Sequence, residues 1–177
     1  MSTNRSLRQL VLLALATAWA MPAAAQDVIP SHLTGVWCTA ESLFAGADAQ
    51  QELQLQADGF GMLVGSSKPH IRTDGKPHEG TPPRVVMGFP LRATLDGNAL
   101  TAQMFLPPGA SVSPRDKGPT PEQMKVACSY EAQGETLTCV GMDRVQMVMK
   151  RRSETLPAQT VDILKKIQSQ LAGGAGR

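Results

Sequence analysis

The sequence predicts a mainly β domain, about eight antiparallel strands closing into an up-and-down barrel, followed by one C-terminal α-helix. Three observations carry this expectation. Asp-Gly pairs at 58–59 and 96–97 are flanked by alternating apolar residues; helical periodicity begins only after Pro157; and the intervening connections alternate between tight and long.

A separate segment precedes that domain. Arg5 and Arg8 stand before the apolar run Leu10–Ala16, which is followed by Pro22 and Ala23-Ala24-Ala25. A basic start, an apolar stretch and a small-residue site form the layout of an export signal. The apolar run falls short of the roughly 20 residues that a bilayer-spanning helix needs. Cleavage is therefore expected after Ala25, giving a periplasmic or secreted protein. No cysteine stands just behind the cut, so no stable membrane anchor is expected. Losing residues 1–25 removes Arg5 and Arg8 from the 17 basic residues and none of the 15 acidic ones, which leaves a neutral chain. Neutrality offers no electrostatic footprint for nucleic acid.

The remaining chain divides into a barrel domain at 26–156, a helix at 157–172 packed on it, and a disordered tail at 173–177. Residues 35–40 read as the opening strand. Leu53, Leu55 and Ala57 alternate with polar residues, and a two-residue turn at Asp58-Gly59 sets Leu55 opposite Met62 and Leu53 opposite Val64. Val85, Met87, Phe89, Leu91, Ala93 and Leu95 share one face of the next long strand. A turn at Asp96-Gly97 sets Phe89 opposite Met104, Leu91 opposite Ala102 and Ala93 opposite Leu100.

The third hairpin, with Gln133-Gly134 at its tip, sets Tyr130 opposite Leu137 and Cys128 opposite Cys139. In an oxidising compartment that register predicts a Cys128–Cys139 disulfide. It leaves Cys38 as a lone, partly covered thiol facing away from an inward Trp37. Val145, Met147 and Met149 alternate along the last strand, which ends in Lys150-Arg151-Arg152; residues 141–144 either interrupt the pattern or continue one longer strand. Val161, Leu164, Ile167 and Leu171 then form a helical stripe, with Gly173-Gly174 placed beyond the helix end.

Long connections at 41–50, 66–83 and 107–123 alternate with the tight turns. In an up-and-down meander this gathers the long loops at one end and the tight turns at the other. A barrel of about eight strands is either filled by side chains or holds one small ligand.

With Gly35-Val36-Trp37 on the first strand, this loop alternation, a basic cluster on the last strand and a trailing helix, the chain resembles the lipocalins and the wider calycin group. The resemblance implies that Trp37 plugs the closed end and that Arg151 or Arg152 packs across it. The chain departs from that pattern in its long second hairpin and in lacking a clear aspartate-bearing middle motif.

The function expected is binding of a small apolar or amphipathic ligand. Leu53, Val64, Met87, Phe89, Met104 and Met147 are the candidate cavity residues, with His70, Arg72 and His78 at the rim. Flexible, polarizable thioethers suit an irregular apolar ligand, and they equally suit ordinary core filling. No cofactor is expected, and the spacing of His70 and His78 does not match a zinc motif. No nucleophile elbow, phosphate-binding glycine loop or zinc-protease motif occurs. Two other readings stay open: a protein-binding module acting through loops 66–83 and 107–123, and a cofactor-free isomerase or cyclase, for which Tyr130 is the strand-borne polar candidate.

Overall fold

Each strand pairs antiparallel with its neighbour in the chain, and the last pairs with the first, so the sheet closes into an eight-stranded barrel. Closure leaves no strand edge unpaired. The computed structural model describes residues 28–74, 76, 79–106, 120–141 and 144–174. The expected signal segment 1–25, His78, residues 107–119 and the tail from 175 lie outside the described residues.

The strands are β1 (Gly35–Cys38), β2 (Gln50–Leu55), β3 (Phe60–Ser66), β4 (Val86–Asp96), β5 (Ala99–Met104), β6 (Lys125–Glu131), β7 (Thr136–Val140) and β8 (Gln146–Ser153). A single helix, α1 (Ala158–Gly174), follows, and a short 3-10 turn at Pro121–Met124 leads into β6. Residues 141–145 separate β7 from β8, so the two remain distinct strands.

Two of the three hairpin registers differ from expectation, with different consequences. The β2–β3 turn holds three residues, because Gly59 adopts φ +80° and Gln56 N–H bonds back to the Phe60 carbonyl at 2.9 Å. Leu53 thus faces Leu63, and Gln54 faces Met62. This one-residue shift sends Met62 and Val64 to the outer wall and Leu63 inside. In the β4–β5 hairpin the turn is Gly97-Asn98, with Gly97 at φ +58° in the first central position. Leu91 therefore pairs with Met104 and Ala93 with Ala102, a shift of two that keeps every residue on its expected face.

The third register matches: Cys128 pairs with Cys139 and Tyr130 with Leu137. Cys128 and Cys139 form a disulfide that staples β6 to β7. Its sequence separation of 11 closes a short loop, so by chain entropy it contributes roughly 2–3 kcal/mol. Cys128→Ser/Cys139→Ser is expected to lower the unfolding free energy by that amount, which equilibrium urea denaturation measures.

Inside, Trp37, Leu53, Leu55, Leu91, Leu100, Leu137, Cys139 and Met149 are buried and fill the tight-turn half of the barrel. The N-terminal turn at 30–34 caps that end by inserting Ile29 and Leu33 into the same core, with Ile29 N–H bonded to the Ala57 carbonyl.

Helix α1 runs through Gly174, past the expected stop. It buries Thr160, Leu164 and Ile167 and packs against β3, while Leu171 stays exposed. Gln168 Nε2 donates to Asp58 Oδ2 at 2.8 Å, tying the helix to the β2–β3 turn. A polar group of the outer wall is buried on β2. Glu52 accepts from Gln54 Nε2 at 2.5 Å and from Arg152 Nη1 at 3.1 Å. Cys38, expected to be partly covered, is fully buried beside them, and that burial pushes its thiol up, holding it protonated.

Candidate functional site

The two barrel ends are built from different chemistry. At the closed end the Trp37 ring is fully buried and its Nε1–H donates to the Leu33 carbonyl at 2.9 Å. Arg151 lies over the ring face, 4.9 Å from the centroid, and its guanidinium also donates to the His32 carbonyl. A ring quadrupole and a backbone oxygen together hold that cation. Tyr130 meets the Trp37 edge at 5.9 Å and stacks obliquely on His32 at 5.1 Å. Arg152 points the other way, to Glu52. This end is a plug, and Tyr130 packs within it on Trp37 and His32 rather than at the long-loop end.

The long-loop end holds a cavity of about 400 Å³. Its apolar wall is made by Leu63 of β3, Met87 and Phe89 of β4, Met104 of β5 and Met124 of the 3-10 turn, with Gln51, Gly65 and Val85 towards the mouth. The strand geometry explains the position. Below, facing strands fill the bore with leucines; above, β3 contributes Gly65 instead of a side chain, opposite Met87 of β4. Phe44, Ile71, Val85, Met87 and Leu106 are exposed apolar residues at this same end.

Of the candidates named from sequence, Met87, Phe89 and Met104 line this cavity. Leu53 sits in the packed layer beneath it. Met147 packs half-buried against the core rather than on the cavity wall. Val64 is on the outer wall, a correction caused by the three-residue turn at Gly59. Sequence reasoning missed Leu63, Gln51 and Gly65, and counted Met124 among the methionines beside the strands without placing it in the cavity. Gln51 had an available signal, since it shares the alternation of Leu53 and Leu55, and its polarity argued misleadingly for solvent.

The expected cationic rim is electrostatically occupied. Arg72 donates through Nε and Nη2 to both oxygens of Asp74, at 2.9 and 2.6 Å, which holds the Asp74 carboxyl below its usual range. Lys68 lies 3.4 Å from Asp48. The Arg84 guanidinium spans backbone carbonyls of Ala45, Gly46, Asp48 and Ser67, bracing loop 39–49 against loop 67–85. His70 donates its backbone N–H to the Pro83 carbonyl. These residues shape the mouth, and none of them lines the cavity.

Among the described residues, no group of three or more His, Cys, Asp or Glu side chains is arranged to hold a metal ion. No protein-family model matches the chain, and no curated protein sequence does. Among solved structures it is similar to the crystal structure of a lipoprotein, YedD, from Klebsiella pneumoniae. The identity is 16%, over 81% of this chain and 91% of that one, with a TM-score of 0.39. The barrel is established by this chain's own strand pairings, which close β8 onto β1.

Proposed function

We propose that the protein binds a small apolar or amphipathic molecule in the cavity at its long-loop end, and that it works outside the cytoplasm. The observation that carries the reading is the cavity itself. At about 400 Å³ it falls within the range of small-molecule sites, and it is walled by Leu63, Met87, Phe89, Met104 and Met124. A sealed floor of packed leucines makes it a blind pocket rather than a channel. Each buried methylene contributes about 0.8 kcal/mol, so about ten of them supply micromolar binding without specialised residues. Export is supported by the signal-like segment at 1–25 and by the Cys128–Cys139 disulfide, which persists in oxidising compartments. The packing of Arg151 on Trp37 at the closed end supports a lipocalin-like arrangement.

The test is binding of a neutral fluorescent probe, N-phenyl-1-naphthylamine, to the wild type and to Gly65→Phe. Gly65 lines the cavity, and a Cβ added there meets the flexible end of Gln51, whose amide atoms lie 3.1–3.2 Å away. Probe affinity is expected to fall at least about tenfold, the equivalent of a few lost methylene contacts, with the circular dichroism spectrum unchanged. A wild type that binds neither the probe nor any medium-chain amphiphile would sink the reading.

A second reading draws on the exposed rim, where Ile71 is 84% and Val85 65% accessible. A protein-binding module acting through these loops would keep its partner in Gly65→Phe, whereas a carrier would lose its cargo.

A further inference from the structure

We infer, on the basis of that ligand-binding reading, that the ligand carries an uncharged hydrogen-bonding head group and that the Gln51 side chain is the residue that recognises it.

Gln51 is directly opposite Gly65 in the β2–β3 pair, and both line the cavity. Its backbone is held in place, because its N–H bonds to Thr39 Oγ1 at 3.0 Å and its carbonyl accepts the Thr39 N–H at 3.0 Å. Its side chain lies across the bare face of Gly65, where a Cβ would meet Oε1 at 3.1 Å and Nε2 at 3.2 Å. Among the described residues, that carboxamide makes no hydrogen bond of its own. The other polar side chains on the wall are engaged. Ser66 Oγ donates to the Leu43 carbonyl at 2.6 Å, and Ser67 Oγ donates to the Lys68 carbonyl and accepts the Val85 N–H.

A carboxamide is both donor and acceptor, so it matches a head group that offers both, such as a primary amide or an alcohol. It carries no charge to offset an anion. None of the described residues lining the cavity is charged, and Lys68, Arg72 and Arg84 at the mouth already have oxygen partners. Drawing a carboxylate into this site strips its water without replacing it by a cation, which disfavours binding. The cavity thus selects for neutral amphiphiles over free fatty acids of the same chain length.

The experiment is displacement of N-phenyl-1-naphthylamine by decanamide, decan-1-ol and decanoate, at pH about 8, where the free acid is ionised. Decanamide and decan-1-ol are expected to bind at least about tenfold more tightly than decanoate. Gln51→Leu should reduce that preference about tenfold, the scale of one neutral hydrogen bond, while retaining the probe. Gln51→Met, closer in shape, gives the same comparison should the leucine variant fold poorly. Gln51→Lys should reverse the order and favour decanoate, which a merely structural role for position 51 would not do. Decanoate binding as tightly as the neutral compounds, or a preference unchanged in both Gln51→Leu and Gln51→Met, would overturn the inference while leaving the cavity reading standing. Failure of the probe and all three compounds to bind would overturn both.

Discussion

Trp37→Ala is expected to lower the unfolding free energy by about 4 kcal/mol, the scale of emptying a large buried aromatic site. The indole is fully buried, so its removal leaves a cavity at the closed end of the barrel. Two further losses add to the missing contacts. The Leu33 carbonyl loses the Nε1–H donor at 2.9 Å, and Arg151 loses the ring face beneath its guanidinium. Urea denaturation should show a midpoint lower by about 2 M at an unchanged slope near 2 kcal/mol/M. Trp37→Phe retains a ring and loses the hydrogen bond, so it should fall between the two. A loss below about 1 kcal/mol for the alanine variant would mean that the N-terminal turn collapses to fill the space, and that the plug is not central to stability.

Gly35→Ala is expected to cost about 3–4 kcal/mol, although it adds only one methyl group. Gly35 adopts φ +107°, a conformation that side chains rarely take. A Cβ there would sit 2.3 Å from the Ser153 carbonyl oxygen and 3.0 Å from Glu154 Cα. Both neighbours are backbone, so relief requires the β1–β8 seam to move. That seam closes the barrel, and its register already shifts between Val36 and Trp37. Gly97→Ala serves as the contrast. Its φ of +58° is also positive, yet nothing lies within 4 Å of the added atom, so conformational strain alone should cost about 1–2 kcal/mol. Hydrogen exchange should show β1 and β8 losing protection in Gly35→Ala while β3 and β4 keep theirs. Equal costs for the two variants would remove the close-approach argument.

How far the sequence revealed the fold depended on whether a strand has one buried face or two. The β6–β7 register, and with it the Cys128–Cys139 disulfide, was legible because apolar and polar residues alternate cleanly there. The β4–β5 faces were legible for the same reason, even though the turn sits at Gly97-Asn98. The third strand was not. Phe60, Met62, Leu63 and Val64 offer apolar groups to both faces, since the barrel core takes one set and α1 packs over the strand outside. A helix-covered strand loses its period-two signal, so register there rests on turn geometry alone. Val64 was misplaced for that reason.

The candidate site divides along the same line. Met87, Phe89 and Met104 could be placed inside from alternation. The cavity they line required knowing that Gly65 faces inward and that the leucine layer stops below it.

By itself the sequence determined the antiparallel meander, the end at which the long loops gather and the disulfide pair. These follow from local periodicity and turn chemistry, which act over a few residues. Tertiary structure alone decided that the barrel is filled at one end and hollow at the other, that Arg151 rather than Arg152 caps Trp37, and that Gln51 faces the cavity with a carboxamide that makes no hydrogen bond among the described residues. Those outcomes depend on how side chains from distant strands share one enclosed volume, and no single strand carries that information.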